Sequence, residues 1–336
     1  MKTVELGRTG EQVSHLALGC MLMGTTTDEP TAHRMLDRYL DAGGGFLDTA
    51  NCYGWFLQRG SRGGESESVL GRWMARGGRR DQVFLATKGT AMVRDPDAAW
   101  AGRDDPDWTI ARRDFEGAGA QTLRRNIDDS LRRLGTDHID LYYVHVDDLS
   151  TPLEETLEAL AGIVRAGKAR YIGWSNVRTW RLERIRGLCE RNGWPAPVAL
   201  QQQHSYLRRR AGLEHVSIVD DEQYDYLRHH DDLTLVAYSP ILKGIYDDPA
   251  KREGHWAMDP YQGPDADARL AAVTEIAAEA GATPNQVVLA WLMHQERPRV
   301  VPLAGPRTLE QLEAALPALD VKLTEEQLAR LDAAGA

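Results

Sequence analysis

The chain has 336 residues, a length that suits one large domain, and it carries a formal net charge of −10. An acidic balance of this size argues against a general nucleic-acid-binding surface. It leaves room for a phosphorylated small molecule, because a few local basic groups are enough to bind one.

Cysteine use and the apolar pattern bear on location. The three cysteines, Cys20, Cys52 and Cys189, form no CxxC pair, which is typical of reduced thiols in the cytoplasm. The first residues, MKTVELGRTGEQVS, lack the apolar core of a signal peptide. No apolar run approaches the roughly 18 residues that a membrane span needs. We therefore expect a cytoplasmic protein without a membrane segment; the sequence gives no indication of its oligomeric state.

The predicted elements begin with a β-hairpin and continue as one long strand–helix alternation. Residues 4–6 and 12–13 flank a Gly-Arg-Thr-Gly turn, and we expect this hairpin to close one end of the fold. Eight strands are predicted at 15–19, 46–48, 83–88, 139–144, 169–173, 198–202, 234–238 and 300–303. Helices are predicted at 31–41, 67–75, 120–134, 151–165, 179–191, 220–229, 266–280, 284–294, 309–316 and 324–332. Thr151 and Thr324 each begin a capping-box pattern, with Glu154 and Gln327 as the partners.

Eight strands that alternate with helices in a single series favour a closed parallel barrel. We predict an α/β protein, a (β/α)₈ TIM barrel with an N-terminal β-hairpin and a C-terminal helix, forming a single domain over residues 1–336. Two segments, 89–114 and 242–265, are too long and too polar for ordinary connections. Both follow predicted strands, so both should lie at the catalytic end of the barrel.

Four residues follow or end predicted strands in a chemically suggestive order. Asp48 ends the second strand and Tyr53 follows it, Lys88 ends the third, and His145 follows the fourth. Taken singly, such residues often serve as caps, solvated side chains or core residues. Together they would meet at the barrel mouth and suit proton transfer to a carbonyl oxygen. A free tyrosine has a pKa near 10, and we expect Lys88 to lower it for Tyr53, with Asp48 keeping Lys88 charged and oriented.

The motifs DTANCYG, ATK, IDLYYVH, GWSN and AYSP resemble those of aldo-keto reductases, of actinobacterial type, and the resemblance extends over nearly the whole chain. It implies NAD(P)H-dependent reduction of an aldehyde or ketone. Asp48, Tyr53, Lys88 and His145 would be the catalytic residues, with Tyr53 as the proton donor and His145 holding the substrate carbonyl.

The resemblance also implies where the cofactor lies, although the usual GxGxxG signature is absent. The implied cofactor-binding residues are Gly19, Cys20 and Met21 beside the nicotinamide ribose, Ser175, Asn176 and Gln201 around the carboxamide, Tyr238 stacked on the ring, Ser239, Pro240, Ile241, Leu242, Lys243 and Gly244 on the pyrophosphate, and Gly305, Arg307 and Gln311 near the adenosine phosphate. Asp48 is also among them. Arg307 favours NADP(H), because an arginine fork matches a phosphate. The chain departs from many relatives where Ala314-Ala315 replaces Glu-Asn.

The substrate is expected to be a small molecule, a carbonyl compound or a sugar. Tyr53, Trp55, His145 and Trp174 are the predicted substrate-lining residues. Aromatic walls accept sugar faces, aromatic aldehydes and polyketide carbonyls alike, so oxidation of a sugar or polyol stays open as an alternative. A non-catalytic cofactor-sensing subunit is a second one. No HExxH motif occurs, and no metal site is predicted.

Overall fold

Eight parallel strands close into a barrel in the computed structural model of the protein, which describes residues 1–335. The strands are β3 (Ala17–Gly19), β4 (Phe46–Asp48), β5 (Phe84–Gly89), β6 (Ile139–Val144), β7 (Ala169–Ser175), β8 (Ala199–Gln203), β9 (Thr234–Tyr238) and β10 (Arg299–Ala304). Each strand pairs in parallel with the next along the chain, and β10 pairs with β3 to complete the circle. The predicted (β/α)₈ barrel is therefore confirmed.

The N-terminal hairpin closes the lower end of this barrel. Its strands, β1 (Thr3–Glu5) and β2 (Gln12–Ser14), pair antiparallel with Val4 opposite Val13. Leu6 and Val13 are buried in one apolar cluster with barrel-interior residues such as Phe46. Burying these side chains fixes the hairpin against the strands through the hydrophobic effect.

Helices cover the outside of the barrel, and their apolar faces pack on the outward-facing side chains of the strands. They are α1 (Glu29–Asp41), α2 (Glu65–Ala75), α3 (Pro96–Trp100), α4 (Trp108–Arg113), α5 (Ala120–Leu134), α6 (Leu153–Arg165), α7 (Thr179–Asn192), α8 (Asp221–His229), α9 (Ala266–Ala280), α10 (Pro284–Met293), α11 (Leu309–Ala315) and α12 (Glu325–Ala333). Along α5 the buried Leu123, Ile127 and Leu134 recur at helical spacing. In the part of the chain that the structure describes, no helix combines the length and apolar character needed to cross a bilayer.

One of the two predicted capping boxes is present. At α12 the Thr324 hydroxyl accepts from the Gln327 backbone, and the Gln327 side chain accepts in return. At α6 the prediction is wrong, because Pro152 is the N-cap and makes no side-chain cap bond. The Thr151 hydroxyl donates instead to Asp148, at 2.6 Å.

The two long segments are partly ordered into short helices. Segment 89–114 contains α3 and α4, whose N-caps, Asp95 and Asp107, accept hydrogen bonds from backbone N–H groups. Segment 242–265 contains three 3₁₀ turns, at Leu242–Gly244, Pro249–Lys251 and Trp256–Tyr261. They follow β5 and β9, so both lie at the end of the barrel where the strands terminate.

Candidate active site

Lys88 links Asp48 and Tyr53 at the barrel mouth. Its side chain is fully buried, and its ammonium donates to Asp48 Oδ1, to the Thr49 carbonyl at 2.8 Å and to the Tyr53 hydroxyl at 3.1 Å. An ammonium has three N–H donors, so these three acceptors saturate it. The structure thus brings three of the four predicted catalytic residues into one hydrogen-bonded group.

The pKa of Tyr53 moves in the direction opposite to the one expected from the sequence. Tyr53 is buried, and this burial, followed by the negative charge of Asp48, raises the pKa of the phenol well above 10. The net lowering of this pKa expected from Lys88 is therefore not found, because burial is the largest cause and acts in the opposite direction. Tyr53 therefore holds its proton at neutral pH and can act as a donor.

His145 lies beside Tyr53. The two ring centroids are 5.7 Å apart, with an interplanar angle of 82°, and the His145 backbone N–H donates to the Gly89 carbonyl at 3.0 Å. Burial, followed by the charge of Lys88, lowers the pKa of His145 well below 6.5, so the imidazole is neutral at neutral pH. Its Nδ1 is 3.4 Å from Cys52 Sγ, a contact that the sequence analysis missed although Cys52 precedes Tyr53 directly.

The residues predicted to surround the nicotinamide lie next to this group and are bonded to one another. Asn176, which has a left-handed φ of 52°, donates from its side chain to the His145 carbonyl at 2.7 Å and to Ser175 Oγ at 3.0 Å. The Tyr238 hydroxyl donates to Asn176 Oδ1 at 3.1 Å. Gln201 donates to Asp48 Oδ2 at 2.8 Å. These side chains therefore also act as a scaffold for the predicted catalytic residues.

Trp174 does not line the mouth, and the prediction that it contacts the substrate is corrected. Along β7 side chains alternate between the two faces of the barrel wall. Trp174 is fully buried in the helix-facing cluster, and its indole N–H donates to Asp147 at 3.3 Å. The Trp174 ring is therefore packed between the barrel and the helix layer, and none of its surface is accessible to a substrate.

An aromatic cluster from two loops lies next to Tyr53 instead. Phe56 lies 6.3 Å from the Tyr53 ring, and Trp108 of α4 lies 5.3 Å from Trp55 and 5.5 Å from Phe56, measured between centroids. The Trp100 indole of α3 donates to the Trp55 carbonyl at 2.7 Å. Helices α3 and α4 thereby hold the loop after β4 in place. We call Trp55, Phe56 and Trp108 the aromatic cover.

The sequence model of the Aldo/keto reductase family matches residues 15–336 of the chain. The chain belongs to the aldo/keto reductase family. Among proteins similar to it are the uncharacterized oxidoreductase YrpG of Bacillus subtilis (35% identical, covering 99% of this chain and 95% of that protein) and norsolorinic acid reductase stcV of Emericella nidulans (32% identical, 96% and 78%). The crystal structure of the thermostable aldo-keto reductase Tm1743, solved with the inhibitor epalrestat, is similar with a TM-score of 0.71, 28% identity and 99% coverage of both chains. The protein is accordingly an NAD(P)H-dependent oxidoreductase.

In this aldo/keto reductase the segment after β9 offers backbone and cationic groups. Ser239, Leu242 and Lys243 have positive φ angles of 52°, 46° and 64°, so the chain folds there into a tight loop. The Leu242 side chain packs into the core. Lys243 is exposed overall, but its ammonium is partly buried. This burial is the main cause that lowers the pKa of Lys243, and the positive charge of Arg307 is the next.

Arg307 follows β10 and is exposed. Its backbone N–H donates to the Gln311 side chain at 2.8 Å, and its carbonyl accepts from the Thr27 hydroxyl at 2.8 Å. These bonds fix the backbone of the loop and leave the guanidinium outside. Within residues 1–335 neither Arg307 nor Lys243 forms a salt bridge to a carboxylate.

Cys20 of the reductase contributes no side chain to the mouth. It is fully buried in the helix-facing cluster, its thiol donates to the Leu18 carbonyl at 3.5 Å, and burial raises its pKa. At Cys20 only the backbone is therefore open to a cofactor. Gly19 itself is crowded, since an added Cβ would lie 3.2 Å from the Ala304 carbonyl.

The rim of the mouth is the apolar part of the enzyme's surface. Among the described residues, the exposed large apolar side chains are Trp108, Leu149, Trp180, Val216 and Trp256. They come from the connections after β5, β6, β7, β8 and β9 respectively. Trp108 and Trp180 lie in the first turns of α4 and α7, and the hairpin end contributes none of the five.

Two cavities of about 460 and 550 Å³ lie at the opposite end of the barrel, lined by hairpin residues such as Val13 and Val4. Neither is lined by Asp48, Tyr53, Lys88 or His145.

Proposed function

We propose that this enzyme reduces apolar, aromatic aldehydes or ketones to alcohols with NADPH, Tyr53 donating the proton. The observation that carries the proposal is the hydrogen bond from the buried Lys88 ammonium to the Tyr53 phenol, whose pKa is raised and whose ring packs edge-on against Phe56 of the aromatic cover.

The donor set supports a nicotinamide cofactor at the mouth. Asn176, Ser175 and Gln201 supply amide and hydroxyl groups, Tyr238 supplies a ring, and Lys243 and Arg307 supply positive charges without carboxylate partners in residues 1–335. When bound, this cofactor would supply the hydride, which no side chain can provide. Arg307 would contact a 2′-phosphate as a fork, which favours NADP(H) over NAD(H).

Tyr53 would give its proton to the substrate oxygen as negative charge develops there. An alkoxide is a stronger base than a phenolate, so a phenol with a raised pKa still donates to it. The phenolate that remains would accept the Lys88 hydrogen bond at its full charge-assisted strength. Asp48 and Gln201 would keep the ammonium aligned, so this stabilisation needs no reorganisation during the reaction.

The aromatic cover indicates the substrate class. Phe56 packs against the Tyr53 ring and Trp108 packs against Phe56, and aromatic rings pair favourably with other rings. Relatives named norsolorinic acid reductase and aryl-alcohol dehydrogenase point in the same direction. Oxidation of sugars is not favoured, and the assembled Asp48–Lys88–Tyr53 group favours turnover over a purely sensory role.

A panel of aromatic aldehydes, aromatic ketones and aldose sugars, assayed by loss of NADPH absorbance, tests the proposal. We expect aromatic carbonyls to give the highest kcat/KM and Tyr53→Phe to abolish most of that activity. Turnover of sugars with NADP, without turnover of any aromatic carbonyl, would overturn it.

A further inference from the structure

Cys52 and His145 form a contact that the proposed reaction does not use. Cys52 Sγ lies 3.4 Å from His145 Nδ1, and Cys52 is only 3% exposed. Over residues 1–335 this thiol is the one hydrogen-bond partner of the imidazole ring, and Nε2 has none. The environment of His145 is therefore asymmetric between its two nitrogens.

The protonation states of both groups are fixed by their surroundings. Burial is the main cause that raises the pKa of Cys52 to about 12, so the sulfur carries its hydrogen at neutral pH. The lowered pKa of His145 leaves the imidazole neutral, with one N–H and one acceptor nitrogen.

The direction of the hydrogen bond follows from the strength of the acceptors. A thioether or thiol sulfur accepts weakly, whereas the unprotonated nitrogen of imidazole is a good acceptor. A thiol donating to Nδ1 uses that nitrogen's lone pair, and the imidazole hydrogen must then lie on Nε2. The reverse arrangement would place Nδ1–H against a poor acceptor in a buried site, which is the less stable choice.

We propose that Cys52 is a positioning residue that holds His145 in the tautomer with hydrogen on Nε2. The catalytic consequence rests on the proposed function: Nε2–H then donates to the same substrate oxygen that receives the Tyr53 proton. In the other tautomer an Nε2 lone pair would face that oxygen and repel it. Cys52, the residue directly before Tyr53, thus influences the protonation of His145, the residue proposed to hold the substrate carbonyl.

The ordinary alternative is that Cys52 only fills space in its apolar cluster, beside Ala50 and Trp55. Valine would then replace it with no consequence beyond the fit of one additional methyl group, because its side chain is apolar and only that much larger. Cys189 provides the matched control, since it is likewise fully buried but packs in the helix layer. A space-filling role predicts that Cys52→Val behaves like Cys52→Ser and Cys189→Val. A positioning role predicts that Cys52→Val alone among the three changes the tautomer of His145.

The direct test is NMR of the enzyme labelled with ¹⁵N-histidine, using two- and three-bond ¹H–¹⁵N correlations at pH 7.5. His145 is assigned by comparison with His145→Gln. We expect His145 to show a protonated Nε2 and an unprotonated Nδ1 in the unmodified enzyme, in Cys52→Ser and in Cys189→Val. In Cys52→Val a signal for protonated Nδ1 should appear. Protonated Nδ1 in the unmodified enzyme, or an unchanged spectrum in Cys52→Val, would overturn the inference.

Kinetics provide the second readout on the same variants. Removing one weak donor should lower kcat by about three- to tenfold in Cys52→Val, while the KM for NADPH stays within twofold. Cys52→Ser should remain within about twofold of the unmodified enzyme. If no carbonyl is turned over by any variant while the NMR change is seen, the proposed function fails and the role of Cys52 stands. Equal activity of Cys52→Val and Cys52→Ser on a verified substrate contradicts the catalytic consequence.

Discussion

Gln201 donates a hydrogen bond of 2.8 Å to Oδ2 of Asp48, the carboxylate whose other oxygen accepts from Lys88. The two residues are 153 positions apart and meet because β8 and β4 both end at the mouth. One glutamine therefore supports the buried ion pair and also belongs to the predicted nicotinamide contacts.

Gln201→Ala and Asn176→Ala should both weaken cofactor binding, because each removes a directed hydrogen bond at the mouth. Gln201→Ala should also lower kcat, since Asp48 loses a partner. Titration of tryptophan fluorescence with NADPH measures the first effect and steady-state assays the second. Gln203→Ala, on the same strand but bonded to Tyr261, is the control. Unchanged affinity in both variants would mean that the nicotinamide binds elsewhere.

Tyr53→Phe should reduce turnover by about 10²-fold or more, the usual effect of losing a general acid. NADPH affinity should stay within a few-fold, because the lost hydroxyl faces the substrate and Lys88. Lys88→Met should give a comparable loss, and the double variant should be little worse than either single one, since both act through one proton transfer. Single-turnover rates on a verified substrate measure this. Retention of most of the rate in Tyr53→Phe contradicts the mechanism.

The Lys88–Asp48 pair should also show in stability. Breaking a buried ion pair leaves an uncompensated charge, at a cost of about 3–5 kcal/mol in the free energy of unfolding. We expect Lys88→Met to cost about this much and the double variant Asp48→Asn/Lys88→Met to cost less, because no buried charge remains. Urea denaturation of the three proteins decides it. A double variant at least as destabilised as Lys88→Met would contradict this account.

Arg307→Ala should narrow the preference for NADPH over NADH by about 1–2 kcal/mol, the scale of one charge-assisted hydrogen bond. Dissociation constants for both cofactors give this difference directly. Arg330→Ala, which removes a surface arginine paired with Glu279, should leave the preference unchanged. Equal affinity of the unmodified enzyme for NADPH and NADH contradicts the assignment.

His204 should make the enzyme sensitive to acid. Its ring packs against Tyr224 and Trp291, and burial lowers its pKa from 6.5 to about 4. Between these values the unfolded chain binds a proton that the folded chain does not. Stability is therefore lost as the pH falls below 6.5, by about 2 kcal/mol at pH 5 from this residue.

The test is the difference in unfolding free energy between pH 7.5 and pH 5. His204→Phe should reduce that difference by about 2 kcal/mol, because phenylalanine has no proton to gain. His229→Gln, at an exposed position, should leave it unaltered. An equal pH dependence in His204→Phe and the unmodified enzyme would show that His204 is protonated in the folded state.

The sequence predicted the barrel well because each strand is bounded by clear turn and helix signals. Strands β4, β6 and β9 have the predicted limits, and Asp48 and Lys88 do meet. Helices α3 and α4 were not predicted, since each is a single short turn whose stability depends on packing over Trp55 and not on its own periodicity.

The errors at the site have physical causes that a linear pattern conceals. Trp174 adjoins Ser175, and adjacent residues of a strand face opposite sides, so only one of them can face the mouth. The pKa of Tyr53 depends on burial and on Asp48, neither of which follows from residue spacing. The Thr151 cap failed because Asp148, three residues earlier, competes for its hydroxyl.

The rim of exposed apolar side chains gives the molecule a built-in optical probe. Trp108, Trp180 and Trp256 are the exposed tryptophans among the nine of the chain, and all three stand around the mouth. A dissolved collisional quencher such as acrylamide will therefore sample mainly that end of the barrel. A ligand that covers the mouth should reduce the quenching of tryptophan emission by acrylamide. A molecule that binds at the hairpin end should leave this quenching unchanged.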